Sequence, residues 1–487
     1  MTKLQNIIAN IKPMVVHGEL DKEIVSLHID SRKCKKDSMF IAIKGTVANG
    51  HDYIMQACKL GASVILCTEL PAEQLQLVTY IQVANTALDL GTVASTFYNN
   101  PSQNLKVVGI TGTNGKTTTA TLLYEVVRSM GYPAGLFSTV KILINDIELK
   151  ATHTTPDAIE LNRIMAEMVD SGCEYCFMEV SSHSIDQNRI WGLQFCGGVF
   201  TNITQDHLDY HKTMDAYIAA KRAFFDHLSP NAFALTNVDD RNGNIMVQNT
   251  KAKRKTYGLL RPANYKAKIL TKQLEGMMLV FDNHELWSPL TGEFNAYNLL
   301  AVYGTCMLLE MDQFEILTAL SKQNPVRGRF ERFQSKTGVF IIVDYAHTPD
   351  AVTNVLKTID DIRTGNEKVI TVMGAGGDRD KTKRPLMAKE AAQYSNVLIL
   401  TSDNPRTEDP LTIIEDMKVG LKGVSNVVSL TIPSRHEAIK TACVMANPED
   451  IILIAGKGHE TYQDIDGVKH PFDDREETLT ILKEIDK

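Results

Sequence analysis

A chain of 487 residues divides into about two to four domains at roughly 100–200 residues each. Its 44% apolar and 22% charged residues fit a soluble globular protein, and a net charge of −7 excludes the basic footprint of a nucleic-acid binder and argues against anionic membrane surfaces. No apolar run is long enough to span a bilayer and no signal pattern opens the sequence, so no membrane insertion and a cytoplasmic location are expected.

Residues 1–101 alternate short strands, predicted at 23–29, 39–43, 62–67 and 79–83, with helices at 51–60 and 86–99. Two polar turns lie between them, Asp30-Ser31-Arg32 and the glycine-bounded run from Gly45 to His51. Such turns can hold a nucleotide or a sugar; ordinary turn chemistry is the stronger alternative for either one alone. Asn99-Asn100-Pro101-Ser102 has the composition of a linker and closes the first domain.

A second domain is expected over 102–332, and it opens on Lys106-Val107-Val108-Gly109-Ile110-Thr111-Gly112-Thr113-Asn114-Gly115-Lys116-Thr117-Thr118. This reads as a strand, a glycine turn and a helix start, with Leu123, Val126, Val127 and Met130 at helical spacing behind and Gly131 as the stop. A helix start offers unpaired N–H groups and a partial positive charge, which suits a polyphosphate. Lys116 is placed to reach outer phosphates and the Thr117 hydroxyl to face Mg²⁺. Ile110 stands where a strict Walker A pattern has glycine, so a chance Gly-Lys-Thr-Thr on a surface turn is the competing reading; the flanking strand and helix favour the phosphate loop. Later strands are predicted at 175–180, 198–203, 233–237 and 278–281.

From 333 to 487 the alternation is cleaner, with strands predicted at 340–344, 369–374, 397–401, 427–430 and 451–455 and helical stretches between. That pattern predicts a doubly wound α/β domain, whose ligands bind beyond the carboxyl ends of the strands. Asp344-Tyr345-Ala346-His347, Gly374 to Arg379, Asp403-Asn404-Pro405-Arg406 and Gly456-Lys457-Gly458-His459-Glu460 fall at those ends.

Several of these residues can carry chemistry. Glu179 ends an apolar strand and is placed to hold Mg²⁺ or its water, and His207 follows a second polar strand tip; each taken alone is as easily structural. Arg379 and Arg406 at strand tips suit an anionic, carboxylated small substrate, with surface salt bridging as the alternative. Lys221 lies on a predicted helix, where lysines are nearly always solvated, and its position gives no reason to single it out. The eight cysteines lie mostly in apolar runs; Cys173 and Cys176 form one C-x-x-C with no second pair, and core packing is expected.

The triphosphate loop Thr111 to Thr117 resembles that of the Mur ligases, including its departure from Walker A. Glu179-Val180-Ser181-Ser182-His183, Asn202 with Asp206-His207-Leu208-Asp209, Gly292 to Asn298, Arg327-Gly328-Arg329-Phe330-Glu331 and Asp344 to Pro349 follow in that family's order over essentially the whole chain. The resemblance implies an N-terminal UDP-binding α/β domain, a central P-loop ATPase-like α/β domain and a C-terminal Rossmann-like domain. Asp30-Ser31-Arg32, His153-Thr154-Thr155-Pro156 and Gly456 to Glu460 point to the member adding the third residue of the peptidoglycan stem peptide. Members adding meso-diaminopimelate carry Asp-Asn-Pro-Arg, as at 403–406, whereas those adding L-lysine usually lack the arginine. The physical reason is that diaminopimelate has a second carboxylate at its far end.

By the same resemblance, ATP is held by Gly112, Thr113, Asn114, Gly115, Lys116, Thr117, Thr118, Asn295, Arg329 and Asp344. UDP-N-acetylmuramoyl-L-alanyl-D-glutamate is held by Ser31, Thr46, Val47, Ala48, Thr154, Thr155, Ser181, Gln187 and Arg189. Arg379, Asp403, Asn404, Pro405, Arg406, Gly456 and Glu460 are the implied diaminopimelate site. Mg²⁺ ions are implied at Thr117, Glu179, His207 and a carbamylated Lys221, with Lys116, Glu179, His207 and Lys221 as the catalytic set. His153 replaces an Asn common in relatives and takes no role. The expected protein is a monomer working on small molecules. Its alternatives are the L-lysine-adding ligase, a folylpolyglutamate-synthase-like amide ligase, or a nucleotide-dependent switch.

Overall fold

Among the described residues three large sheets, each covered by its own helices, follow one another along the chain, with two two-stranded pairs beside them. The computed structural model describes residues 2–45, 48–149 and 154–487; Thr46, Val47 and His153 lie outside the described residues. In the first sheet Ser26–His28, Ser38–Ile41, Ala62–Cys67 and Thr79–Gln82 run parallel, and Val15–His17 adds an antiparallel edge. The strand expected over 23–29 is two pieces, Glu23–Ile24 and Ser26–His28, and the helix expected over 51–60 opens as a 3₁₀ turn, Gly50–Tyr53, before Ile54–Lys59.

The first domain is docked rather than tethered. Helix Thr86–Phe97 packs on helix Ala158–Asp170 of the central domain. Gly91 allows the approach, because a Cβ there would collide with the Trp191 carbonyl. The 99–102 segment is therefore no free linker: Asn99 and Asn100 take left-handed φ of 60° and 52°, and the buried Ser102 hydroxyl accepts from Gln194 N–H at 3.0 Å.

The central sheet has eleven strands. Its middle is parallel, in the spatial order Ala134–Phe137, Tyr175–Glu179, Lys106–Thr111, Gly197–Phe200, Phe233–Asn237, Lys253–Gly258. Helices Lys116–Ser129 and Glu293–Leu308 close one face, and Ala158–Asp170 and Met214–Asp226 the other. The meander Tyr265–Gln273, Gly276–Phe281, His284–Ser288 extends one edge. Only its middle strand was read from sequence, since Tyr265–Gln273 is half polar and largely exposed. Cys173 and Cys176 are buried free thiols, as expected.

The third sheet runs Glu331–Gln334, Phe340–Asp344, Ile451–Ala455, Val369–Met373, Val397–Leu400, Val428–Thr431, parallel except for its first strand. Helices pack on both faces, which is the doubly wound arrangement. The four sequence-flagged loops leave the carboxyl ends of its central strands and line one cleft with the glycine loop that precedes helix Lys116–Ser129. No helix among the described residues is long and apolar enough to cross a membrane.

Candidate active site

A cleft of about 880 Å³ lies between the central and third domains. On the central side, strand Lys106–Thr111 runs into the loop and helix Lys116–Ser129 leaves it. Gly115 caps that helix at φ 85°, and a Cβ there would sit 2.5 Å from Asn298 Oδ1, so the turn requires glycine. Lys116 Nζ folds back over the loop and donates to the carbonyls of Gly112 at 2.9 Å and Thr113 at 2.6 Å. Burial lowers its pKa, with Glu179 and Asp206 pulling the other way. Thr117 donates its hydroxyl to Glu179 Oε2 at 3.0 Å, and Thr139 N–H donates to Glu179 Oε1 at 2.6 Å.

Lys221 corrects the sequence expectation of a solvated lysine. It is 1% exposed, and its Nζ donates to the Gly112 carbonyl at 2.8 Å from beneath the loop. Burial and then the neighbouring Lys116 charge drive its pKa well below that of an ordinary lysine. His207 sits at left-handed φ 54° and lines the cleft, its ring edge-on to His183 at 4.9 Å. Burial lowers its pKa, despite the neighbouring Asp206 carboxylate, so the imidazole is neutral.

The third domain reaches across at two points. Arg329 Nη2 donates to Thr117 Oγ1 at 3.0 Å, while its guanidinium lies 4.4 Å from the Tyr345 ring centroid. Asp350 Oδ2 accepts from Asn114 Nδ2 at 2.9 Å. Asp344 accepts from Phe330 N–H at 2.6 Å and Ala346 N–H at 2.7 Å; burial nonetheless pushes its pKa up to about 6, against the pull of Arg329.

Beside Glu179 lies a hydroxyl-rich strip. Thr155 Oγ1 donates to the Glu179 carbonyl at 2.9 Å, Thr139 Oγ1 to Thr154 Oγ1 at 3.1 Å, and Arg189 Nη1 to the Thr155 carbonyl at 2.9 Å. Gln187 accepts from Arg189 Nε at 3.0 Å and does not itself line the cleft. At the far wall, Arg379, Asp403, Asn404, Arg406, Gly456 and Glu460 come together. Arg406 takes φ 53°, and its Nη1 donates to the Gly377 carbonyl at 2.6 Å. Asn404 Nδ2 donates to Glu460 Oε2 at 2.7 Å. A phosphate-binding turn with a buried lysine beneath it, facing a wall of arginines and carboxylates, suits phosphoryl transfer coupled to capture of a zwitterion.

Comparison with known proteins agrees on one family. The descriptions "Mur ligase family, catalytic domain", "Mur ligase middle domain" and "Mur ligase, glutamate ligase domain" match residues 23–110, 110–306 and 328–458. The UDP-N-acetylmuramoyl-L-alanyl-D-glutamate–2,6-diaminopimelate ligase of Bacteroides fragilis is 54% identical over 483 residues, covering 99% of each chain. The chain belongs to the Mur ligase family. The ligase of the same name from Bacteroides thetaiotaomicron is 52% identical over 482 residues, again with 99% of each chain. A solved structure of a protein so named superposes with a TM-score of 0.70 at 30% identity, covering 100% of this chain and 99% of that one. Members of this family are ATP-dependent ligases, and this chain is one of them.

In this Mur ligase most residues singled out from sequence line one cleft, but not all. Ser31 lies in the first domain, buried, with its hydroxyl donating to Gln56 Oε1 at 2.9 Å; Ala48 is exposed there. Asn295 turns away from the cleft, Nδ2 to the Thr291 carbonyl at 2.8 Å, and Asn298 and Tyr297 line the cleft in its place. Gly112, Lys221 and Pro405 sit behind the lining. Sequence reasoning missed Asp350 and Lys383, which line the cleft, and the burial of Lys457 behind it. Asp350 stands six residues past a flagged Asp344, and Lys457 inside a flagged glycine loop, yet neither position announces a partner.

Proposed function

We propose that this ligase joins meso-2,6-diaminopimelate to the D-glutamate γ-carboxylate of UDP-N-acetylmuramoyl-L-alanyl-D-glutamate during peptidoglycan synthesis, in the cytoplasm and as a monomer. The observation that carries the reading is the charge pattern of the wall opposite the triphosphate loop: Arg406 for a far-end carboxylate, Asp403 and Glu460 for a far-end ammonium. Lysine has no far-end carboxylate for Arg406 to bind. The names of the full-length relatives point the same way. The division of labour follows the three sheets: 1–101 for the UDP group, 102–332 for ATP, 333–487 for the incoming amino acid. Thr154, Thr155, Ser181 and Arg189 line the same cleft, and we assign them to the end of the dipeptide.

The γ-carboxylate oxygen attacks the γ-phosphorus of ATP, ADP leaves, and an acyl phosphate forms. A carboxylate resists amines; an acyl phosphate does not. The neutral amine of diaminopimelate then adds to the carbonyl, its nitrogen gives up a proton to water, and the tetrahedral adduct collapses to the amide with loss of phosphate. Lys116, released from its loop carbonyls, and Arg329, already on Thr117, are placed to hold charge on the transferring phosphoryl group.

Among the described residues no three carboxylate, imidazole or thiolate groups converge as a ready metal site. Mg²⁺ still fits the donors present, provided phosphate oxygens and a Lys221 carbamate complete the set begun by Glu179, Thr117 and neutral His207. The neutral amine is the form that reacts with CO₂ to give that carbamate, and burial of Lys221 favours it. When bound, Mg²⁺ supplies charge neutralisation of the phosphates.

Tripeptide and ADP formation with diaminopimelate, L-lysine and L-glutamate as competing amines tests the reading. Diaminopimelate is expected to win by at least about 100-fold, the worth of a charged pair. Equal use of lysine would refute it.

A further inference from the structure

Beneath the amino-acid corner lies a lysine that touches no cleft and has no assigned part. Lys457 is 0% exposed. Its Nζ donates to Asn404 Oδ1 at 3.1 Å and Glu460 Oε2 at 3.1 Å, and stands 3.8 Å from Asp403 Oδ1. These three partners line the cleft and Lys457 does not. The next buried cation, Arg435, is already matched, with Nε and Nη2 on the Asp474 carboxylate at 2.7 and 2.8 Å. Among the described residues, Lys457 is the cation in ion-pair contact with Asp403 and Glu460, and Arg379 and Arg406 in the same wall make no ion pair with either.

We infer that Lys457 is a positioning residue that fixes the amine selectivity of the site, by leaving two adjacent carboxylates with one uncompensated negative charge. That sum accepts one ammonium. Without Lys457 the two carboxylates repel each other, and one of them holds a proton in place of the ligand's charge. Burial and Asp403 already raise the Glu460 pKa, and Lys457 opposes this. Lys457 also orients Asn404: with Oδ1 taken by Lys457 and by Asp464 N–H at 2.9 Å, Nδ2 is the end that faces Glu460. Glu460 Oε1 is then left without a protein donor among the described residues. The inference rests on the diaminopimelate reading above.

The test compares wild type with Lys457→Met and Lys457→Gln, using diaminopimelate and an analogue that lacks its far-end amine. ADP formation from ATP and dipeptide without amino acid reports folding and the other two sites. Both variants are expected to keep that partial reaction, with KM for ATP and dipeptide within about twofold. KM for diaminopimelate rises at least about 10-fold, and the preference for diaminopimelate over the analogue collapses towards one. Unchanged preference, a uniform rise of all three KM values, or loss of the partial reaction in both variants would overturn the inference while the diaminopimelate reading stands. A wild type that ignores diaminopimelate would sink the reading itself, and the inference with it.

Discussion

At the triphosphate loop, one short run of chain from Thr111 to Thr118 supplies the turn, the helix start, the lysine and the hydroxyl. At the corner proposed for the amino acid, the same task of holding charge is shared by loops that start near Gly374, Asp403 and Gly456; the buried Lys457 joins the last two, and Arg406 joins the first to the second through the Gly377 carbonyl. The first region works because neighbours in sequence are neighbours in space. The second works only after the parallel sheet has brought its strand ends into line. Binding of a feature common to every nucleotide triphosphate can be local; recognition of one particular amino acid is assembled over long range and can be altered piece by piece.

The sharpest break falls on the local side. Lys116→Ala removes the cation nearest the loop, and acyl phosphate formation should fall by about 10³–10⁵-fold, the scale of a charge placed on a transferring phosphoryl group. Normal ADP release in that variant would remove Lys116 from the chemistry. Lys221→Ala should cost about 10²–10³-fold. Partial recovery on adding a small carboxylate such as acetate would mark the lost group as a carbamate; full activity without any addition would dismiss it. On the long-range side, Arg406→Ala should cost at least about 2 kcal/mol in kcat/KM for diaminopimelate and leave KM for ATP unchanged. Equal losses for both substrates would make Arg406 a structural residue and erase the contrast.

The last effect is one of stability and leaves the chemistry untouched. Asp344 has a folded pKa pushed up to about 6, above its unfolded value. Such a group adds stability that is complete below the unfolded pKa and lost as pH rises through about 6, by no more than about 3 kcal/mol. Denaturant midpoints of the ligand-free protein should therefore fall between about pH 4 and 6 for this residue, and Asp344→Asn should flatten that slope. A slope unchanged by the substitution would show that Asp344 is no more perturbed than a surface carboxylate.

The same contrast governs what was legible in the sequence. Gly115, Lys116 and Thr117 could be read because their geometry is set within a few residues. Most central strands could be read from their apolar runs, though Ala134–Phe137 and Lys253–Gly258 of the middle sheet were not, and the family motifs carried the three-domain layout. Lys221 could not be read from its helix, because the carbonyl that buries it belongs to Gly112. Asn295 followed the motif yet faces inward, because the first turn of helix Glu293–Leu308 points it at Thr291. The 99–102 segment has a linker's composition, but Ser102 anchors its end to the central domain and the contact between Gly91 and Trp191 docks the first domain there. Lys457 was hidden for much the same reason as Lys221: a buried charge is recognised by its partners, and of these only Glu460 is near in sequence, while Asp403 and Asn404 lie on another strand end.

The account stands on transfer of a phosphoryl group to the glutamate carboxylate before the amide forms. Dipeptide substrate labelled with heavy oxygen in that carboxylate, turned over with ATP, Mg²⁺ and diaminopimelate, puts this to a direct test by mass spectrometry of the released phosphate. One labelled oxygen per phosphate is the predicted result. Phosphate free of label, with tripeptide still formed, would contradict the account.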